Sequence, residues 1–246
     1  MPILDYPLGI KDIWAALLRL YCKVFSGVWF LGGIVGALVN VSLFLSLFYL
    51  CKTNIPIVGN VVCVVVNLII VFLNIYLMAV ILHRANAIDE VQGGALMTSL
   101  SFVNKKYSTI VIGVFLASFL GVLGTGLFVV PGIYLTIAFF MLQPLILFDN
   151  KDSFSALRDS CGLVWGNWWR TCAVIFPVMF INYLLGFAVQ FAVIRGTAWY
   201  VIMGANMLVT MLFLPLLGAA VLVQFRCLKL RYINKHKALL AEAIVS

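Results

Sequence analysis

The sequence predicts an all-α polytopic membrane protein: six transmembrane helices arranged as three hairpins, each preceded by a cytoplasmic amphipathic interfacial helix. Hydrophobic residues make up 65% of the 246-residue chain and the mean hydropathy is +1.16, whereas soluble domains are about 45–50% apolar. The apolar residues are gathered into stretches that reach the roughly 20 residues needed to cross a bilayer. We therefore predict a single membrane domain over residues 1–246.

The distribution of positive charge predicts the orientation. Every Lys and Arg except Lys52 and Arg195 falls on one side of the six-span arrangement. Basic residues resist translocation, so the rich side is cytoplasmic and both termini are on it, as in a bacterial inner-membrane protein. Orientation and attraction to anionic phospholipids account for the net charge of +8. No nucleic-acid partner is expected, because the basic residues accompany no recognition element.

Six spans are predicted, at residues 24–50, 57–82, 109–128, 133–148, 171–194 and 201–223. The first hairpin turns at residues 51–56 and the third at residues 195–200. Residues 109–148 form one uncharged run about twice as long as a single span requires. Pro131 and Gly132 lie inside this run, and these residue types together mark the end of one helix and the start of the next.

The three interfacial segments are predicted at residues 8–23, 88–103 and 152–168. In the first, Ile13 and Leu17 belong to an apolar stripe at helical spacing, with charged residues off the stripe. In the third, Asp149 and Asp152 stand near the start of the segment, where negative charge complements the helix dipole. The second is less regular. Amphipathic segments of this kind usually lie in the plane of the membrane interface.

Small residues recur at four-residue spacing within the spans. They let helix backbones approach closely, which is how membrane helices associate. Whether the partner helix belongs to the same chain or to a second copy is left open. The predicted helix-packing residues are Gly32, Gly36, Gly113, Ala117, Gly121 and Gly186.

Side-chain amides form a predicted polar seam. An unpaired amide in hydrocarbon costs several kcal/mol, so these groups are expected to point inward and meet one another. One interpretation is interhelical hydrogen bonding, worth about 1 kcal/mol per contact. The other is a polar lining for a headgroup or a small solute. The seam consists of Asn60, Asn67, Asn74, Gln143, Asn182, Gln190 and Asn206.

The sequence offers no catalytic, metal or cofactor constellation. No Asp or Glu falls inside a predicted span, which disfavours an ion-coupled pump, since such carriers usually place ionisable groups at mid-membrane depth. Asp89 and Glu90 are interpreted as a solvated loop pair. His83 and His236 have no carboxylate or cysteine at ligand spacing. We expect no enzymatic activity and no cofactor.

Trp165, Trp168 and Trp169 lie within the five residues before Arg170 and form the densest aromatic group in the chain. Tryptophan favours the headgroup level of a membrane, and arginine binds phosphate. These four residues are therefore predicted either to anchor the protein in the interface or to contact phospholipid headgroups.

Residues 128–170 carry a resemblance to a known family. They include the runs Phe-Val-Val-Pro-Gly-Ile-Tyr-Leu, Gln-Pro-Leu-Ile-Leu-Phe-Asp-Asn-Lys, Ser-Phe-Ser-Ala-Leu-Arg-Asp-Ser and Leu-Val-Trp-Gly-Asn-Trp-Trp-Arg. This order resembles the YciC-like family of bacterial inner-membrane proteins, and the membrane domain that precedes some glycerophosphodiester phosphodiesterases. Many relatives have an arginine in the fourth span, where this chain has Ala138 and Phe139. Nothing here corresponds to the separate catalytic domain of the phosphodiesterases, so the resemblance suggests lipid-related work by association only.

Three functional hypotheses follow. The first is a non-enzymatic membrane protein that binds or organises lipids or small amphiphiles, with membrane phospholipids as partners. The second is a facilitator or channel that uses the amide seam as its path. The third is an assembly or scaffold subunit whose small-residue faces meet other membrane proteins or a second copy.

Overall fold

The computed structural model describes residues 9–51, 57–90, 95–127, 129–194 and 199–245. Side chains are described in most of this range, excluding residues 47–51, 57–60, 127, 129–131, 190, 192–194, 199 and 236–245. The described residues form eight helices and no strand. In chain order these are α1 Ile10–Cys51, α2 Ile57–Asp89, α3 Leu96–Leu127, α4 Val129–Phe139, α5 Leu142–Phe148, α6 Ser153–Val164, α7 Trp168–Ile194 and α8 Trp199–Val245.

Five of these helices are long and apolar enough to cross a membrane, which makes the chain an integral membrane protein. Their candidate crossing segments in the described residues are Ile10–Ser46, Val61–Asp89, Leu96–Gly126, Trp168–Val189 and Tyr200–Lys235. The 42 residues of α1 and the 47 residues of α8 reach about 63 and 70 Å at 1.5 Å per residue. Both exceed the roughly 30 Å hydrocarbon core.

The fourth predicted span is not one helix. Residues 133–148 are divided between α4 and α5, with turns at Phe140 and Met141. Pro144 explains the break, because it has no N–H to donate to the carbonyl of Phe140 and its ring clashes with that carbonyl. Pro131, predicted to stand between two helices, lies in the first turn of α4, a position that proline favours. The break between α3 and α4 therefore lies before Pro131.

The predicted interfacial segments fold in different ways. Residues 152–168 contain a separate helix, α6, whose N-cap Asp152 accepts a hydrogen bond from the backbone N–H of Ser155 at 3.3 Å. Residues 10–23 are the opening turns of α1, so the first segment is not a separate helix. No proline separates it from the first span, and extending a helix costs less than starting one. In the second segment, residues 88–89 end α2 and residues 96–103 begin α3.

Buried residues concentrate toward one end of the bundle. In α2, Ala79, Val80, Ile81 and Leu82 are fully buried, while most residues from Val61 to Leu73 are exposed and apolar. In α8, residues 219–225 are buried as well, and α5 is buried over most of its length. Helix α1 packs on α2 and, more extensively, on α8; α3 packs on α4, and α7 on α8. The helices are thus tightly packed at one end and less covered at the other.

Candidate functional site

Asp89 joins three helices at the buried end of the bundle. Its carboxylate accepts hydrogen bonds from Arg226 of α8 at 2.5 Å and from Lys23 of α1 at 3.4 Å. Lys23 also donates to the Asp89 carbonyl at 2.9 Å, and Arg226 donates to the amide oxygen of Asn86 at 2.6 Å. Asp89 is 4% exposed. The interpretation of Asp89 and Glu90 as a solvated pair is therefore wrong for Asp89, while Glu90 stands at the edge of the cluster, half exposed.

A second polar cluster fastens the end of α5. The Lys106 ammonium donates to the carbonyls of Ile146 and Leu147 at 3.1 and 2.7 Å, and to the side chain of Asn150. Carbonyls at a helix C-terminus lack intrahelical partners, and a cation there satisfies them. Asp149 forms an ion pair with Lys229 of α8. Together these contacts bring α3, α5 and α8 to the same end of the bundle.

Helix α6 packs along the α3–α4 pair. At its start the Ser153 hydroxyl donates to the Thr109 carbonyl at 2.8 Å, and just past its end Trp165 meets the ring of Tyr134 at 6.0 Å between centroids. Contacts with α3, α4 and α5 cover its inner face. The third predicted interfacial segment is thus a packed element of the bundle. At its exposed N-terminus, hydrogen bonds from Ser155 hold the pKa of Asp152 below its ordinary value.

The structure divides the predicted amide seam. Asn67 donates to the Cys63 carbonyl at 2.9 Å and accepts a hydrogen bond from Ser42 of α1, so it links α1 to α2. The amide oxygen of Asn74 is buried with no hydrogen-bond partner in the described part of the chain. Gln143 is half-buried at the start of α5. The side chains of Asn60 and Gln190 lie outside the described residues.

Asn182 and Asn206 are brought together in one cavity. It has a volume of about 390 Å³ and lies where α1, α7 and α8 meet. Its walls include both asparagines and the glycines of two neighbouring helices. The lining residues include Gly36 and Leu43 of α1, Asn182 and Gly186 of α7, and Asn206 and Thr210 of α8.

The two side-chain amides in this cavity form no hydrogen bond with the described part of the chain. Within the described residues, neither the Asn182 nor the Asn206 side chain makes a hydrogen bond. The Thr210 hydroxyl is used locally, since it donates to the backbone carbonyl of Asn206 at 2.9 Å. In apolar surroundings an amide without a partner is costly. The cavity therefore offers a bound molecule two sets of donors and acceptors.

The rim of the cavity is apolar and faces outward. Tyr183 and Phe187 of α7 are 69% and 65% exposed, and Val39 and Leu43 of α1 are exposed as well. Gly186 keeps the space open, because no atom lies within 4 Å of the position that an added Cβ would take. The predicted packing role of Gly186 is therefore wrong: it lines a cavity.

Asn40 holds the wall of this cavity and was not identified from the sequence. Its amide nitrogen donates to the Gly36 carbonyl at 2.9 Å and to the Met203 carbonyl of α8 at 3.1 Å, and the residue is 7% exposed. The signal was available, since Asn40 is an amide inside a predicted span, four residues after Gly36. It positions α1 against α8 beside the cavity.

The other small residues pack within the chain. An added Cβ at Gly32 or Gly36 would come within 3.1 Å of the backbone of Met211 or Met207 in α8. At Gly113 it would meet Leu142 and Ile146 at 3.1 Å, and at Gly121 it would reach Thr136 at 3.9 Å. Ala117 is buried. At Gly132 an added Cβ would overlap Thr125, so this glycine permits the close approach of α4 to α3.

The predicted aromatic group is contiguous in space. Trp165 and Trp169 are 76% and 79% exposed, and Arg170 is also exposed. Trp168 is half-buried and stacks on Tyr134 of α4 with ring centroids 6.2 Å apart. The indole N–H of Trp168 and the hydroxyl of Tyr134 are enclosed without partners among the described residues. The group presents two indoles and one guanidinium at the protein surface.

Within the described ranges, no group of three or more His, Cys, Asp or Glu side chains is arranged to hold a metal ion. Comparison with models of known families, with curated proteins and with solved structures finds no match for this chain. The resemblance of residues 128–170 to the YciC-like family stays a prediction.

Proposed function

We propose that this integral membrane protein binds an amphiphile in the cavity between α1, α7 and α8, without catalysing a reaction on it. The observation that carries the proposal is the pair of unpartnered amides, Asn182 and Asn206, in a cavity with an exposed apolar rim. A volume of about 390 Å³ lies within the range of small-ligand pockets, about 300–1,000 Å³. The polar end of a ligand that enters from the lipid would form hydrogen bonds with the two amides, and its hydrocarbon chain would stay outside the cavity.

We propose further that the chain crosses a bacterial inner membrane six times, with both termini cytoplasmic. The contacts of Asp89 with Lys23 and Arg226 bring the start of the first span, the end of α2 and the far part of α8 together. Gln224 of α8 donates to Thr171, near the start of α7, at 3.0 Å. These contacts place the end of α2 and the start of α7 at the same end of the bundle. The segment between them, α3–α6, therefore starts and finishes at that end, which supports an even number of crossings.

Two observations favour amphiphile binding over a path across the membrane. Asn67 is engaged with Ser42 and Cys63, away from the cavity that Asn182 and Asn206 share. At the charged end, the ion pairs of Asp89 and Asp149 join α2 and the end of α5 to α8. A facilitator would need the amides to continue from one cavity to the next. A scaffold would need small-residue faces free for a partner, and those at Gly32 and Gly36 are taken up by α8.

The proposal is tested by filling the cavity. Gly186 lines the cavity, and no protein atom lies within 4 Å of a Cβ added there, so we expect Gly186→Leu to fold and to take up ligand space. Native mass spectrometry of protein extracted gently from bacterial membranes should show lipid retained by the unaltered chain. We expect retention to fall at least about ten-fold in the variant, corresponding to about 1.4 kcal/mol of binding.

The matched control is Gly204→Leu, in α8, where an added Cβ also meets no atom within 4 Å. Gly204 does not belong to the cavity, so this variant should retain lipid like the unaltered protein. Equal retention by both variants would show that the cavity is not the binding site. Thermal unfolding of the three proteins in the same detergent checks that each one is folded.

A further inference from the structure

We infer that the ligand of the α1–α7–α8 cavity is an uncharged amphiphile whose polar end carries ester or hydroxyl oxygens, of the kind found in diacylglycerol. This inference rests on the proposed function and specifies the class of ligand. It distinguishes lipids that carry a charged phosphate from lipids that have the same acyl chains and no phosphate.

The first step is the charge of the cavity. Its described lining residues are glycines, aliphatic and aromatic side chains, asparagines and a threonine, and none is ionised at neutral pH. Along α1 the nearest described cation, Lys23, is 13 residues from Gly36, about 20 Å. A phosphate moved from water to such a site would lose hydration with no described cation to compensate, at a cost far above that of a neutral polar group.

The second step is the hydrogen-bonding capacity of the two asparagines. Each amide offers two donor hydrogens and one carbonyl acceptor. Ester oxygens accept hydrogen bonds, and a hydroxyl both accepts and donates. A neutral glycerolipid with one free hydroxyl therefore complements Asn182 and Asn206 together, whereas a hydrocarbon would leave both amides unpaired in an apolar environment.

The third step is the shape of the opening. The volume of about 390 Å³ is at the lower end of ligand pockets and suits the polar end of a lipid. The acyl chains would leave past Leu43 of α1 and Phe187 of α7, whose side chains are 38% and 65% exposed. Apolar chains at this rim would cover the surface that these residues present.

The test compares two lipids with identical acyl chains, diacylglycerol and phosphatidic acid, titrated into the delipidated full-length protein and followed by native mass spectrometry. We expect diacylglycerol to bind at least about ten-fold more tightly, since excluding one charge is worth more than 1.4 kcal/mol. Asn182→Leu and Asn206→Leu should each weaken diacylglycerol binding by about five-fold, the value of one hydrogen bond. Asn104→Leu, an exposed asparagine of α3, should leave it unchanged.

The outcomes distinguish the inference from the proposed function. If phosphatidic acid binds as tightly as diacylglycerol and Gly186→Leu weakens the binding of both, the ligand is not restricted to uncharged lipids. The cavity would still be a lipid-binding site. Diacylglycerol binding that is unaffected by both asparagine variants would overturn the hydrogen-bond assignment. Binding of either lipid that Gly186→Leu does not reduce would overturn the proposed function itself.

Discussion

Asp89 occupies a position that is unfavourable without partners. It is the last residue of α2, where the helix dipole disfavours negative charge. Burial to 4% exposure adds a desolvation cost. Arg226 and Lys23 offset both effects by donating hydrogen bonds to the carboxylate, and Nη2 of Arg226 donates to the amide oxygen of Asn86. The cluster therefore fixes the relative positions of α1, α2 and α8.

We expect Asp89→Asn to destabilise the protein by about 3 kcal/mol, because it leaves two cations without their buried counter-charge. Chemical unfolding of the purified protein in a mixed detergent series measures this change. The control is Asp159→Asn: Asp159 pairs with Lys151 at the surface, with both side chains more than 40% exposed. Exposed pairs contribute about 0–1 kcal/mol. An equal loss of stability in the two variants would contradict the conclusion that buried Asp89 holds α1, α2 and α8 together.

Sequence patterns identified residue types better than residue environments. The apolar context of Asn182 and Asn206 predicts that they point inward, and the structure places both on the wall of one cavity. The burial of Asp89 could not be predicted, because its partner Arg226 is 137 residues away. Local pattern carries no information on which distant charge returns to a helix end.

Proline positions show why helix boundaries were predicted unevenly. Pro144 separates α4 from α5, whereas Pro177 and Pro215 lie inside α7 and α8 without ending them. A proline in a membrane helix is tolerated when neighbouring groups or small backbone adjustments satisfy the freed carbonyl. Whether they do depends on packing between helices. The sequence therefore shows Pro144 itself, but it does not show that this proline divides the fourth predicted span into two helices.

The α1–α8 pair depends on close backbone contact. An added Cβ at Gly32 would lie 3.1 Å from the Cα and carbonyl oxygen of Met211 and 3.4 Å from Pro215. Two helix backbones cannot give way as a flexible side chain can. The small-residue pattern predicted such contact, but it did not identify α8 as the partner.

We expect Gly32→Ala to destabilise the protein by about 1–3 kcal/mol, because the two helices must move apart. Gly126→Ala is the matched control, since an added Cβ at Gly126 of α3 meets no atom within 4 Å. That variant should be neutral or more stable by up to about 1 kcal/mol, through helix propensity. Thermal unfolding in detergent reports both values. A neutral Gly32→Ala would show that α1 and α8 tolerate a wider separation.

At the scale of the whole molecule, packing is uneven along the helices. The charged end has two polar clusters and the fully buried residues 79–82 and 219–222, while residues 61–73 of α2 are mostly exposed. In a membrane the exposed apolar part faces lipid, which removes the usual penalty for leaving it uncovered. The cavity of Asn182 and Asn206 lies away from the clusters, between α7 and the closely packed α1–α8 pair. The protein is thus tightly packed at one end and exposes apolar side chains at the other.

If the number of crossings is even, as we propose, the α3–α5 hairpin decides between six crossings and four. Gly113 faces Leu142 and Ile146, and Gly124 faces Leu135 at 3.0 Å, so α4 and α5 run antiparallel along α3. If this hairpin crosses the membrane, its tip near Gly126 is on the non-cytoplasmic side and Asn150 is on the cytoplasmic side. Charge asymmetry predicts that arrangement, because residues 109–148 contain no charge while Lys105, Lys106 and Lys151 flank them.

We expect Gly126→Cys, in a chain whose native cysteines are replaced, to react with a membrane-impermeant maleimide added to intact cells. Asn150→Cys, which is exposed at the other end of the hairpin, should react only after the membrane is permeabilised. Labelling of neither position in intact cells, with both labelled after permeabilisation, would indicate four crossings and a hairpin held on the cytoplasmic side. In that case α3–α5 would be a re-entrant or surface element, and the packing of α6 along it would belong to the cytoplasmic face.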